Sequence, residues 1–167
     1  MMKRLARLRV PLGFLSAAVA FWLARPTGKS WWIGVMVALV GEGVRIWAAG
    51  HIEKGREITS SGPYRFVRHP LYLGSTILGV GFVIAAASLP VAILVALYLG
   101  ITIFAAVRTE EAVLDERFSG AYTDYREGMA KSVSRPFSLA RAVRNREHRA
   151  VIGLAAGFAL LALKLSS

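Results

Sequence analysis

From Ser61 to Gly74 the chain reads Ser-Gly-Pro-Tyr-Arg-Phe-Val-Arg-His-Pro-Leu-Tyr-Leu-Gly, which sets turn formers, two arginines, an imidazole and aromatic rings directly before a long apolar run. Gly62-Pro63 is turn chemistry, and Pro70 suits the first turn of a helix, where its missing N–H costs nothing. The stretch is therefore expected to be a structured loop feeding a helix, with Arg65, Arg68 and His69 just outside it. Cations in that position can meet lipid phosphates or an anionic ligand. A purely topological role for the positive charge would explain Arg65 and Arg68 but not the whole string.

Two further constellations carry charge in an apolar context. Glu110, Leu114, Phe118, Tyr122 and Tyr125 recur at spacings of four, four, four and three, which is one stripe of one helix. The stripe sets a carboxylate, with Glu111 beside it, at the membrane end and two phenols at the far end. Leu114 and Phe118 also read simply as the buried face of an interfacial helix. Glu42 and Arg45, three apart and so on one helical face, lie inside an apolar segment. A charge at membrane depth costs about 2.5 to 3.5 kcal/mol on insertion scales, so the pair must face protein or water. An ion pair that locks two helices and a group that binds an acceptor are both consistent with this position.

The first string, Gly-x-Tyr-x-x-x-Arg-His-Pro-x-Tyr-x-Gly, resembles the signature of the isoprenylcysteine carboxyl methyltransferase family and its phospholipid N-methyltransferase relatives. The second, Glu110-Glu111-x-x-Leu114-x-x-x-Phe118-x-x-x-Tyr122-x-x-Tyr125, follows in the order that family shows. The resemblance implies a small helical membrane enzyme with S-adenosylmethionine as methyl donor. On it, Tyr64, Arg68, His69, Pro70, Tyr72, Leu73 and Gly74 line the donor, and Glu110, Glu111, Tyr122 and Tyr125 close over it. Glu42, Arg45 and Arg126 are the candidate catalytic groups, and no metal is expected. A carboxylate beside a membrane boundary suits a sulfonium, an α-amino group or a ribose hydroxyl. After Tyr125 the chain departs from the carboxyl methyltransferase pattern: a basic residue and Val-Pro give way to Arg126-Glu127-Gly128-Met129, with Arg135-Pro136 the nearest comparable element. A phospholipid amine, a small lipophilic thiol or carboxylate, and an isoprenoid all stay open as acceptor.

The elements that must position these groups are apolar runs. Of 167 residues 55% are hydrophobic, and the mean hydropathy is +0.50. The runs are Val10 to Ala24 behind a basic start, Trp31 to about Gly50, Pro70 to Ala87, Val91 to Val107 and Ala150 to Leu165. Trp31-Trp32 suits a belt at the water interface, and Ser88-Leu89-Pro90 is a tight hairpin. The last run is short for a span and also reads as an interfacial helix. The expected fold is all-α: a single integral membrane domain over residues 1–167, with about five transmembrane helices plus a cytoplasmic or interfacial helix.

The 21 Lys and Arg against 10 Asp and Glu give a net charge of +11. Four basic residues lie before the first run, four between positions 51 and 69, and nine from Arg108 to Arg149, against Arg25 and Lys29 in the first hairpin. The positive-inside rule then puts the N-terminus and both motifs on the cytoplasmic face. The expected partners are membrane lipids and a lipophilic or lipid acceptor entering from the bilayer. Nucleic acid is not expected, because no basic-aromatic strip or zinc-ligand spacing accompanies the charge. Without cysteine there is no disulfide framework or thiolate site. No G-x-G-x-x-G follows a strand, which argues against a Rossmann-type methyltransferase. Two other classes are a non-catalytic membrane scaffold or small transporter, with Glu42 and Arg45 on a substrate path, and, on fold-level resemblance alone, a relative of membrane sterol reductases, which would need a nicotinamide cofactor instead.

Overall fold

A computed structural model describes residues 2–53, 59–117 and 135–165. The described residues are helical, without strands. Helix α1 spans Met2–Leu23, α2 Gly28–Ala49, α3 Pro70–Ala86 and α4 Leu89–Arg117. A 3-10 turn at Gly62–Arg65 precedes α3, and a short α5, Leu139–Arg144, leads into α6, Glu147–Leu163.

Local chemistry accounts for the helix ends. Thr27 and Ser30 form a reciprocal capping box at the start of α2, each hydroxyl accepting from the other's backbone N–H, at 3.1 and 2.9 Å. Pro70 opens α3 as its first residue, and Ala87 ends it with φ +47, the left-handed geometry that closes a helix. Helix α1 ends against a foreign cap: Lys164 Nζ, beyond α6, donates to the carbonyls of Phe21, Trp22 and Ala24 at 2.9, 3.1 and 2.7 Å. Those oxygens belong to the last turn and its exit, where helical partners run out.

The most extensive contact is between α2 and α3, and it is built from small residues. A Cβ on Gly34 would come within 2.4 Å of the Gly81 carbonyl oxygen, and one on Gly41 within 2.7 Å of that of Gly74. The two backbones thus approach as closely as small-residue helix pairs in membranes do. A core of Ala20, Ala24, Ala38, Ala85, Ala86, Val91, Phe158 and Leu161 sits at the end away from the motifs. Trp31 joins α2 to α6 there, its Nε1 donating to the Phe158 carbonyl at 3.0 Å.

Among the described residues, two helices are long and apolar enough to cross a membrane, Gly28–Ala49 and Leu89–Leu114, which is fewer than the five expected from the apolar runs. Helices α3 and α6 have 17 residues each. At about 1.5 Å per residue each reaches about 25 Å, short of a hydrocarbon core of about 30 Å. Helix α4 does not stop where the fourth apolar run ends at Val107 but runs on through Arg108 to Arg117. Arg, Glu, Ala and Leu are good helix formers, so the change to charged sequence marks a solvent boundary rather than a helix end.

Candidate functional site

One end of the bundle collects the C-terminal ends of α2 and α4 and the N-terminal ends of α3 and α6. His69, the N-cap of α3, brings the two motifs together: its Nδ1 lies 3.8 Å from Glu110 Oε2 and its Nε2 3.5 Å from Glu111 Oε1. Both distances are long for hydrogen bonds, and Nε2 is buried without a hydrogen-bond partner. The ring lies 5.7 Å from that of Tyr72, one turn into α3. An imidazole flanked by two part-exposed carboxylates and a phenol forms a polar bowl that suits a cationic or hydroxyl-bearing ligand.

Helix α3 has two working faces. His69, Tyr72, Thr76, Val80 and Val83 look toward α4, whereas Gly74, Ser75, Leu78 and Gly81 look toward α2. Gly74 therefore sits in the helix contact, where a Cβ would meet Arg45 Cγ at 2.6 Å and the Gly41 carbonyl oxygen at 2.7 Å. Pro70 is fully buried, and Tyr64 is buried against Ala48, Ile52 and Leu71. Leu73 is exposed on the helix surface, and Arg65, Phe66, Val67 and Arg68 are exposed on the loop. Tyr122, Tyr125 and Arg126 lie outside the described residues.

On the α2 face the Glu42–Arg45 pair acquires partners that the sequence did not suggest. Arg45 Nε lies 2.7 Å from Oε1 of Glu147, the first residue of α6, and 3.6 Å from Oε2 of Glu42. Its Nη1 donates to Ser75 Oγ on α3, and Ser75 in turn donates to the Leu71 carbonyl at 2.9 Å. One guanidinium thus ties α2, α3 and α6, with the two carboxylates only 5% and 8% exposed. Glu147 was concealed in a basic connector, although an acidic residue in a first helical turn is the pattern the helix dipole favours.

Between α3 and α4 runs a cavity of about 710 Å³, lined by apolar side chains from Val83 and Ala92 at one end to Thr76 and Val107 at the other. Thr76 spends its hydroxyl on the Tyr72 carbonyl at 3.0 Å, so it adds little polarity. The upper end lies one helical turn from Tyr72 on α3 and from Glu110 on α4. An apolar groove therefore leads to the polar bowl.

Comparison with known proteins decides the family. The phospholipid methyltransferase family matches residues 30–121, a stretch that includes most of α2, both motif starts and the groove. The chain belongs to that family. That family belongs to the isoprenylcysteine carboxyl methyltransferase-like superfamily. The nickel-cobalt-cadmium resistance protein NccN of Alcaligenes xylosoxydans xylosoxydans is 34% identical over 56% of this chain and 43% of its own length. The cobalt-zinc-cadmium resistance protein CzcN of Cupriavidus metallidurans is 32% identical over 66% of this chain and 54% of its own. The chain spans about half the length of these curated relatives. No solved structure matches.

Proposed function

We propose that the chain is an S-adenosylmethionine-dependent methyltransferase acting on a lipophilic acceptor, with the donor held at the His69–Glu110–Glu111 bowl and the acceptor's apolar tail in the α3–α4 groove. The observation that carries the reading is their continuity: the groove ends one turn from Tyr72 and Glu110, so a lipid-borne nucleophile would reach the donor's methyl without leaving an apolar path. When bound, the donor supplies an electrophilic methyl on a sulfonium. The bowl fits such a group, because a buried imidazole nitrogen lacks a hydrogen-bond partner beside two carboxylates that complement positive charge.

In this assignment Glu110 and Glu111 hold the sulfonium or the α-ammonium, and His69 and Tyr72 offer hydrogen bonds to the remaining polar groups. Arg68 is exposed beside them and reaches the donor's carboxylate. By the family resemblance, Tyr122 and Tyr125 are assigned to the donor and Arg126 to the catalytic groups; all three lie outside the described residues. Methyl transfer is a displacement at carbon, so the protein's work is alignment and exclusion of water rather than covalent chemistry. With Arg45 engaged by Glu147 and Ser75, the Glu42–Arg45 pair serves helix locking on this reading.

For the acceptor, the family match favours a phospholipid amine over a prenylcysteine carboxylate, in line with the lost Val-Pro after Tyr125. The site faces the cytoplasm by the distribution of basic residues. The relatives' names describe proteins of which the match covers only 43% and 54%, and they carry no acceptor assignment here.

Calorimetry of the protein in nanodiscs with S-adenosylhomocysteine and, separately, with a nicotinamide dinucleotide tests the donor class. Saturable binding of the first and none of the second is expected. The reverse would replace the methyltransferase reading with a reductase-like one. Transfer of labelled methyl from S-adenosylmethionine into vesicles with or without phosphatidylethanolamine then reads the acceptor.

A further inference from the structure

His51 belongs to neither motif, yet it touches the first. Its ring is buried just beyond α2, with Nδ1 2.9 Å from the Trp47 carbonyl oxygen. A Cβ on Gly62 would lie 2.6–2.7 Å from Cγ, Cδ2 and Nδ1 of that ring. Gly62 also has φ +58, so this first motif glycine meets two demands: left-handed backbone, and an imidazole where a side chain would go. The Phe137 ring lies 6.0 Å from that of His51 and itself covers Gly50, where a Cβ would meet it at 2.2 Å.

The arm that carries Phe137 is clamped to the end of α2. The Ser138 N–H donates to the Gly50 carbonyl at 3.1 Å, and the Arg141 guanidinium donates to the same oxygen. Arg141 Nε reaches Glu53 Oε1 at 2.8 Å, and Asn145 Nδ2 donates to the carbonyls of Ala49 and Ile52 at 2.9 and 3.1 Å. The donors to Ala49, Gly50 and Ile52 satisfy carbonyls at and just beyond the end of α2, where helical partners run out. The arm therefore fixes the end of α2, and with it the seat of His51. From Gly62 the 3-10 turn runs through the buried Tyr64, and His69 follows as the N-cap of α3.

We propose that His51 is a positioning residue for the donor site: its ring seats Gly62, and Gly62 starts the turn that delivers His69. The proposal rests on the donor reading above. His51 does not itself touch the bowl; it acts through the loop, so its loss should weaken donor binding while leaving groups at the bowl intact. Misplacement of a donor-binding group by about 1 Å is enough to weaken its contacts with the donor.

The test titrates S-adenosylhomocysteine into the full chain in nanodiscs for wild type, His51→Ala, His51→Asn, Gly62→Ala and the His51→Ala/Gly62→Ala double variant, with a thermal melt of each. Asparagine keeps a side-chain N–H for the Trp47 carbonyl but lacks the ring. Both His51 variants are expected to melt near the wild type, bind about tenfold more weakly, and raise the KM for donor while keeping kcat at saturation. Gly62→Ala should cost less affinity in the His51→Ala background than in wild type, because the methyl group then enters vacated space. Wild-type affinity in either folded His51 variant, strict additivity in the cycle, or failure of both His51 variants to fold would overturn the proposal. If wild type itself binds no S-adenosylhomocysteine, the donor reading falls and takes the proposal with it. If wild type binds and the variants match it, the proposal alone falls.

Discussion

Arg45 on α2 is held more closely by Glu147, 2.7 Å away on α6, than by Glu42, 3.6 Å away on its own helix. The relationship changes what each substitution should do. If Glu42 were the sole partner, its loss would strand a buried guanidinium. With Glu147 in place, the cluster holds two carboxylates against one cation.

Glu42→Gln is accordingly expected to leave the melting temperature in detergent unchanged or raised, because it relieves excess negative charge. Arg45→Met should cost about 3 to 5 kcal/mol, since it leaves two buried carboxylates without a cation. Glu147→Gln should fall between the two. A Glu42→Gln variant that unfolds as readily as Arg45→Met would show that Glu147 is not the principal partner.

The groove predicts an acceptor effect separable from donor binding. Gly100 lines it, and a Cβ there would meet nothing within 4 Å. Gly100→Phe should fill the space without strain, lower turnover of long-chain acceptors at least about tenfold, a change of about 1.4 kcal/mol, and leave donor affinity unchanged. Equal loss on long- and short-chain acceptors would remove the groove from the acceptor path.

Glu53 supplies a pH dependence whose sign can be worked out. The hydrogen bond from Arg141, with the nearby Arg144 charge, holds its carboxyl below the usual carboxylate range. A depressed folded-state pKa contributes stability that is fully present above the ordinary carboxylate pKa and is lost as pH falls through the folded value. Melts of wild type and Glu53→Gln should therefore differ at neutral pH and converge in acid. Part of the difference should disappear in high salt, because Arg144 is solvent-exposed. A gap that widens toward acid would contradict this account.

The apolar runs and their punctuation made most helices legible: Pro70 and Ser88-Leu89-Pro90 stand at or beside observed ends. The number of crossings was not legible, because hydropathy marks an apolar run but not whether 17 residues from Pro70 to Ala86 reach across a bilayer. The meeting of His69 with Glu110 and Glu111 followed from placing both motifs at one end. The split of α3 into two faces was harder to see. Gly74 sits within the same motif as His69, yet a helix turns 100° per residue, and five residues on it faces α2 instead of α4. Glu147, Ser75, His51 and Lys164 were hidden because their partners are remote in sequence and neither spacing nor composition pairs them.

The central claim is that the donor is held at the His69 bowl, and its most direct test is the affinity of His69→Ala for S-adenosylhomocysteine. The His69 side chain makes no capping hydrogen bond at the start of α3, so its removal should leave the melting temperature unchanged. Calorimetry should then show binding at least about tenfold weaker than wild type, about 1.4 kcal/mol, with a comparable loss in Glu110→Gln or Glu111→Gln. Wild-type affinity in folded His69→Ala would contradict the account.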